Sequence, residues 1–159
     1  TLSPLNGMAA STVSGWIRRF IQRDILPRVY PAARERMAWH RQRGDTILVI
    51  SASGEHLVAP IAEQLGACGA LAIGVEVIDD RYSGQIYGTL TYKEGKVARI
   101  KEWQAAQKAA PFSHRWAYSD SINDVAMLEY ADRAAVINPA AALERLAQQR
   151  GWDICHWAR

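Results

Sequence analysis

An apolar, β-branched run of five residues, Thr46-Ile47-Leu48-Val49-Ile50, constrains this chain more than any other feature. Such a run has no polar face to offer water, so by length and composition it fits a buried parallel strand. It ends in small residues, Ser51-Ala52-Ser53-Gly54, which let a backbone come close to a ligand. Leu57, Val58, Ile61 and Leu65 then recur at helical spacing up to Gly66. Strand, small-residue turn and helix together form a nest of N–H groups suited to a phosphate. Ser51 also reads as an ordinary hydroxyl near a helix cap. Pro60 inside the helical stretch predicts a late start or a kink.

The same unit recurs near the other end. Arg115-Trp116-Ala117-Tyr118 reads as a short strand, and Val125, Leu128 and Ala131 follow at helical spacing. The turn between them is Ser119-Asp120-Ser121-Ile122-Asn123-Asp124. In open α/β sheets ligands bind at the carboxyl ends of strands. Ser121-x-x-Asp124 also reads as a capping box, which needs no ligand. The cap does not require Asp120, so a carboxylate there points to a metal or a proton.

Between and around these units the punctuation is regular. Thr1 to Ala10 reads as a loop or frayed end. Val13, Trp16, Ile17, Phe20 and Ile21 mark the core face of a helix, and Pro31 opens a second helix that runs to Arg43 and stops at Gly44. Ala70 to Val77 reads as a strand, and Val75–Asp79 with Gln85–Thr91 as a hairpin around residues 80–84. Asp79-Asp80 is read as a turn former. Gly95-Lys96 opens a helix with Val97, Ile100 and Trp103 toward the core. A lysine at that end opposes the helix dipole by a few tenths up to about 1 kcal/mol, which a surface lysine tolerates and an anion would offset. Ala134–Ile137 reads as a strand, 141–150 as a helix closed by Gly151, and Trp152–Cys155 as an edge strand. The order predicts an α/β fold: a Rossmann-like, doubly wound and mostly parallel sheet with a β-hairpin.

Composition bounds the functional classes. With 159 residues, 49% of them hydrophobic, the chain fits one domain with a real core. The net charge is +3, with arginines at positions 18, 19, 23, 28, 34, 36, 41 and 43 read as solvated helix faces. No nucleic-acid motif accompanies them, so no nucleic-acid partner is expected. Cys68 and Cys155 stand outside any metal-type spacing, which suits a reduced, cytoplasmic protein. No apolar run reaches about 18 residues, so no membrane partner is expected. No G-x-G-x-x-G or G-x-x-x-x-G-K-[ST] follows a strand, which argues against an unrelated nucleotide-binding domain. The chain opens on Thr1 rather than Met and reads as a processed or truncated piece.

Taken in order, Ile47-Leu48-Val49-Ile50-Ser51, Gly95-Lys96, Tyr118-Ser119-Asp120-Ser121-Ile122-Asn123-Asp124 and the ending Arg150-Gly151-Trp152 resemble the haloacid dehalogenase superfamily. Within it the chain is similar to the phosphoserine-phosphatase-like branch, subfamily IB, over roughly Ile25 to Trp157. The resemblance implies Mg²⁺-dependent hydrolysis of a small phosphomonoester. It implies that Ser51, with the backbone N–H groups of Ala52 and Ser53, binds a phosphoryl oxygen. Lys96 would neutralise charge on the phosphoryl group and the nucleophile, Asp120 would bind Mg²⁺, Asn123 would contact substrate, and Asp124 would order Lys96 or a metal-bound water. Ser119 stands where many relatives carry Gly.

One departure is large. The family's first motif, Asp-x-Asp-x-Thr after a strand, supplies the aspartate that forms an aspartyl-phosphate, and it does not occur in these residues. The resemblance thus implies residues 1–28 as the remnant of a helical cap and 29–159 as a core lacking its first strand. On this reading the chain is an inactive C-terminal fragment of a phosphatase, and the gap in its sheet predicts self-association or a strand from elsewhere. The alternative is a non-catalytic phosphate- or partner-binding domain.

Overall fold

The computed structural model describes residues 3–108 and 111–159, and the chain folds as two compact units, residues 1–90 with Arg159 and residues 91–158. The fold is α/β, with one three-stranded sheet in each unit.

In the first unit, β1 (Leu48–Gly54) pairs in parallel with β2 (Gly69–Ile78), and β2 pairs antiparallel with β3 (Arg81–Tyr87). The strand expected at Thr46–Ile50 starts later and runs through Ser51-Ala52-Ser53, which are extended rather than a turn. Its register slips between Ile50 and Gly54, and its residues are half-buried or exposed rather than fully enclosed. It is also an end strand of its sheet: no described strand pairs with its other side. Helix α3 (Glu55–Gln64) begins directly after Gly54 and runs through Pro60, so there is no late start.

The hairpin differs from expectation in a physically simple way. Strand and hairpin arm are one continuous strand, β2, and the turn is Asp79-Asp80, not residues 80–84. Both aspartates have left-handed backbone, φ 52° and 61°, the pattern of a tight type I′ connection. Asp80 does more than turn the chain. Its carboxylate accepts from Ser11 N at 3.2 Å and Ser11 Oγ at 2.7 Å, so it caps helix α1 (Ala10–Phe20), whose own preceding residue, Ala9, offers no side-chain cap.

The segment expected to fray is held over its described part, while Thr1 and Leu2 lie outside the described residues. Gly7 N donates to Tyr82 O, Tyr82 N to Met8 O and Ala10 N to Asp80 O, and Leu5 and Met8 pack on the core cluster Val13, Val75 and Tyr82. Edge pairing to β3 gives this stretch backbone partners that composition could not reveal. Val13 and Ile21 are buried as expected, but Trp16 and Phe20 are 48% and 37% exposed. The apolar stripe is wider than the surface that covers it. Helix α2 (Pro31–Gln42) follows a short π turn and a 3₁₀ turn. Of its arginines, Arg34 donates to Leu26 O and Arg41 to Leu65 O, while Arg36 and, just past the helix, Arg43 lie over Trp39.

In the second unit, β4 (Trp116–Ser119), β5 (Arg133–Ile137) and β6 (Asp153–Cys155) are all parallel. Helices α4 (Glu94–Ala106), α5 (Val125–Tyr130) and α6 (Ala141–Arg150) complete it. Leu128, Ala134, Val136, Leu143 and Ala147 form its core. Gly151 ends α6 in the left-handed conformation, φ 70°, as its position predicts. β4, like β1, is an end strand, with no described strand paired on its other side. The described strands form two ladders, β1-β2-β3 and β4-β5-β6, with the parallel pairs and intervening helices of the expected α/β fold.

Candidate active site

The turn after β4 is built by hydroxyls. Ser121 Oγ accepts from Asn123 N at 3.1 Å and starts a 3₁₀ turn over Ile122–Asp124, which runs into α5. The second half of the expected capping box is absent. Asp124 does not reach back to the Ser121 N–H, which donates instead to Ser119 Oγ at 3.0 Å. The Asp124 carboxylate points elsewhere: Oδ1 meets Lys96 Nζ at 2.7 Å, and Oδ2 accepts from Ser119 Oγ at 2.6 Å.

Lys96 is the buried residue of α4, at 8% exposure, as is Asp124. The expected core face of Val97, Ile100 and Trp103 is only half-buried. A lysine in the first turn of a helix, against the dipole, is held by a carboxylate within hydrogen-bonding distance in a mostly desolvated setting. Removing either partner would leave the other as an uncompensated buried charge.

Asp120 is exposed, and its carboxylate has no partner among the described residues. Asn123 is exposed as well, with the Tyr92 hydroxyl donating to its Oδ1 at 3.5 Å. Tyr92 escapes a sequence reading because it lies 31 residues away, outside any motif. Beside it, Lys93 has an unusual backbone, φ 51° and ψ −123°, at the entrance to α4. An open groove of about 240 Å³ is lined by Lys93, Glu94, Ile122, Asn123 and Glu129 among others. Lys96, Asp120 and Asp124 do not line it.

On the first unit, Ser53 N donates to Ser51 Oγ at 3.1 Å, so this N–H already has an acceptor within the chain. Ala52 and Ser53 are exposed. A Cβ at Gly54 would fall 2.5 Å from the His56 ring, so a side chain there would require that ring to shift. Thus Lys96, Asp124, Ser119 and the Asp120 turn are gathered on the second unit, and Ser51, Ala52 and Ser53 share the end of β1 on the first.

The resemblance noted above implies Mg²⁺ at this turn. Mg²⁺ commonly takes one or two carboxylates and fills its shell with water and substrate phosphate. Asp120, exposed and unpartnered among the described residues, fits as one such ligand. No three acidic, histidine or cysteine side chains converge among the described residues, so these side chains do not form a closed metal cage.

An α/β fold with a strand-end acidic turn and a buried lysine is the setting in which comparison with known proteins finds this chain's relatives. The family profile of haloacid dehalogenase-like hydrolases matches residues 2–129, and the chain belongs to that family. It is 37% identical over 153 residues to a probable phosphatase of Mycobacterium tuberculosis, covering 96% of this chain and 53% of that one. It is 30% identical over 159 residues to a histidinol-phosphatase of Neisseria meningitidis, covering 98% of this chain and 72% of that one. A Bordetella pertussis protein of unknown function shares the structure at TM-score 0.91 and 33% identity, covering 97% of this chain and 70% of that one. A probable phosphoserine phosphatase of Vibrio cholerae shares the fold at TM-score 0.72 and 17% identity, covering 99% and 45%. The chain thus spans about half the length of the Mycobacterium relative.

Proposed function

We propose that the complete protein hydrolyses a small phosphomonoester with Mg²⁺, and that these residues supply the charge-handling part of its site. The observation that carries this is the buried Lys96–Asp124 pair, 2.7 Å apart, in the turn whose Asp120 is exposed. Phosphoryl transfer asks little covalent chemistry of a protein and much positioning of charge. Lys96, fixed by Asp124, presents an ammonium to phosphoryl oxygens without reorganising. Asp120 holds the cation, which when bound neutralises charge on those oxygens. Asn123 orients substrate. Ser51, with the N–H groups of Ala52 and Ser53, binds a phosphoryl oxygen. For this the Ser53 N–H exchanges or shares its bond to Ser51 Oγ.

The nucleophile is an aspartate outside these 159 residues, carried on a strand that pairs with an open edge of β1 or β4. Its carboxylate attacks phosphorus as the ester P–O bond breaks and the leaving oxygen takes a proton from the second aspartate of the same motif. That aspartate then takes a proton from the water that attacks the aspartyl-phosphate, which frees phosphate and restores the carboxylate. Residues 1–28 are proposed as part of a helical cap and 29–159 as the core. The unpaired thiols of Cys68 and Cys155 agree with a reducing, cytoplasmic setting. Among the described residues no helix is long and apolar enough to cross a membrane. The open strand edges support self-association of the isolated chain, which sedimentation velocity would read as species heavier than 17.7 kDa.

The test is phosphate release by the complete protein from phosphoserine, histidinol phosphate and p-nitrophenyl phosphate, with and without Mg²⁺. Mg²⁺-dependent turnover of at least one, absent from the 159-residue chain alone, is the expected result. A complete protein that binds phosphate but turns over none of them would instead mean a binding domain.

A further inference from the structure

We infer that Ser119 is a positioning residue that couples Lys96 to the turn carrying Asp120. Its catalytic consequence rests on the phosphatase reading above, but its geometry does not. Asp124 is buried, and each of its oxygens has one strong partner: Lys96 Nζ at 2.7 Å on Oδ1 and Ser119 Oγ at 2.6 Å on Oδ2. The serine has a single hydroxyl proton, and this bond commits it. The same oxygen accepts from Ser121 N at 3.0 Å. A continuous chain results, from the Ser121 N–H through Ser119 Oγ to one oxygen of Asp124, and from the other oxygen to the Lys96 ammonium.

Asp120 lies between the two serines, so the Ser121 N–H bond to Ser119 closes a small ring around its backbone. One side chain therefore sets two things together: the rotation of the Asp124 carboxylate, and hence the place of Lys96, and the backbone bearing Asp120. Bonds of an O–H to a carboxylate are short and strong because the acceptor is charged. A Gly or Ala at 119 would remove both bonds. Asp124 Oδ2 would lose its donor in a buried setting, and the Ser121 N–H would lose its acceptor. Asp124 would then be held at one end only, free to turn about its Cβ–Cγ bond and to carry Lys96 with it.

The experiment compares wild type, Ser119→Ala and Ser119→Thr by two readouts. The first is the acetylation rate of Lys96 under acetic anhydride, read by peptide mass spectrometry, with Lys93, Lys101 and Lys108 as internal controls. Lys96 should react several-fold faster in Ser119→Ala, return to the wild-type rate in Ser119→Thr, and do so while the control lysines hold steady. A uniform rise at all four lysines would mean general loosening and would overturn the inference. So would an unchanged Lys96 rate, or failure of threonine to restore it. The second readout is steady-state turnover of p-nitrophenyl phosphate by the complete protein. There kcat should fall about 10–100-fold in Ser119→Ala with KM nearly constant, as is usual when a group behind a direct ligand is lost. Threonine should recover it. An unchanged kcat would overturn the catalytic role. A wild type without turnover would sink the phosphatase reading, while the Lys96 labelling would still decide for or against Ser119.

Discussion

At the scale of the residue, burial and pairing decide what each charged group does. Lys96 and Asp124 retain only 10% and 11% side-chain exposure, so their pairing is not a surface ion pair of negligible value. Lys96→Met should cost roughly 3–5 kcal/mol in urea unfolding, because Asp124 is left buried and uncompensated. The double variant Lys96→Met/Asp124→Leu should recover most of that loss while remaining inactive. His56 offers a separate pH test. Its Nδ1 is buried without a hydrogen-bond partner, its ring meets Tyr82 edge-on, and burial holds its pKa below the ordinary 6.5 against the opposing pull of Glu55. The unfolded chain therefore takes up this proton first as pH falls. Stability from this residue is complete above pH 6.5 and declines below it, down to the lower folded value. Wild type should lose more stability than His56→Phe between about pH 7.5 and 5.5. Equal losses would contradict that account. Lys96 was legible as a candidate because its place at the start of a helix is mildly unfavourable. The role of Ser119 was not legible, since a serine for a glycine looks like a small change until its hydroxyl is seen on Asp124.

At the scale of the element, caps and turns were readable where they are local and hidden where they are not. Gly151 after α6 and Pro31 at the start of α2 behave as their positions predict. The hairpin was found but its turn was misplaced by the polar look of residues 80–84, four of which continue the ladder as the start of β3. Asp80 as a cap for α1 could not be read at all, because Ser11 lies 69 residues away. Asp80→Ala should destabilise the first unit by about 1 kcal/mol or more through loss of that cap. Hydrogen exchange should show the loss concentrated in the first turn of α1. Asp79→Gly should do the opposite, since glycine accepts the φ of 52° at no steric cost. An Asp80→Ala variant with undiminished protection at the start of α1 would show the cap to be idle.

At the scale of the whole molecule, the order of strands and helices announced an α/β fold of the haloacid dehalogenase kind, and the family match bears it out. The division into two three-stranded sheets follows from what the strands can pair with. β1, which ends in the Ser51–Ser53 stretch, and β4, which leads into the Asp120 turn, are both end strands among the described residues. Which strands pair depends on contacts far apart in the sequence, and periodicity within a segment does not report them. The turn after β4 is proposed as a cation site with Asp120 as its ligand. Isothermal titration of Mg²⁺ into the complete protein tests it most directly, with Ser121→Ala as the control for local structure. Asp120→Asn should weaken Mg²⁺ binding by about 10-fold or more. Ser121→Ala should cost about 1 kcal/mol of capping and leave the affinity in place. Equal Mg²⁺ affinity in wild type and Asp120→Asn would contradict the assignment.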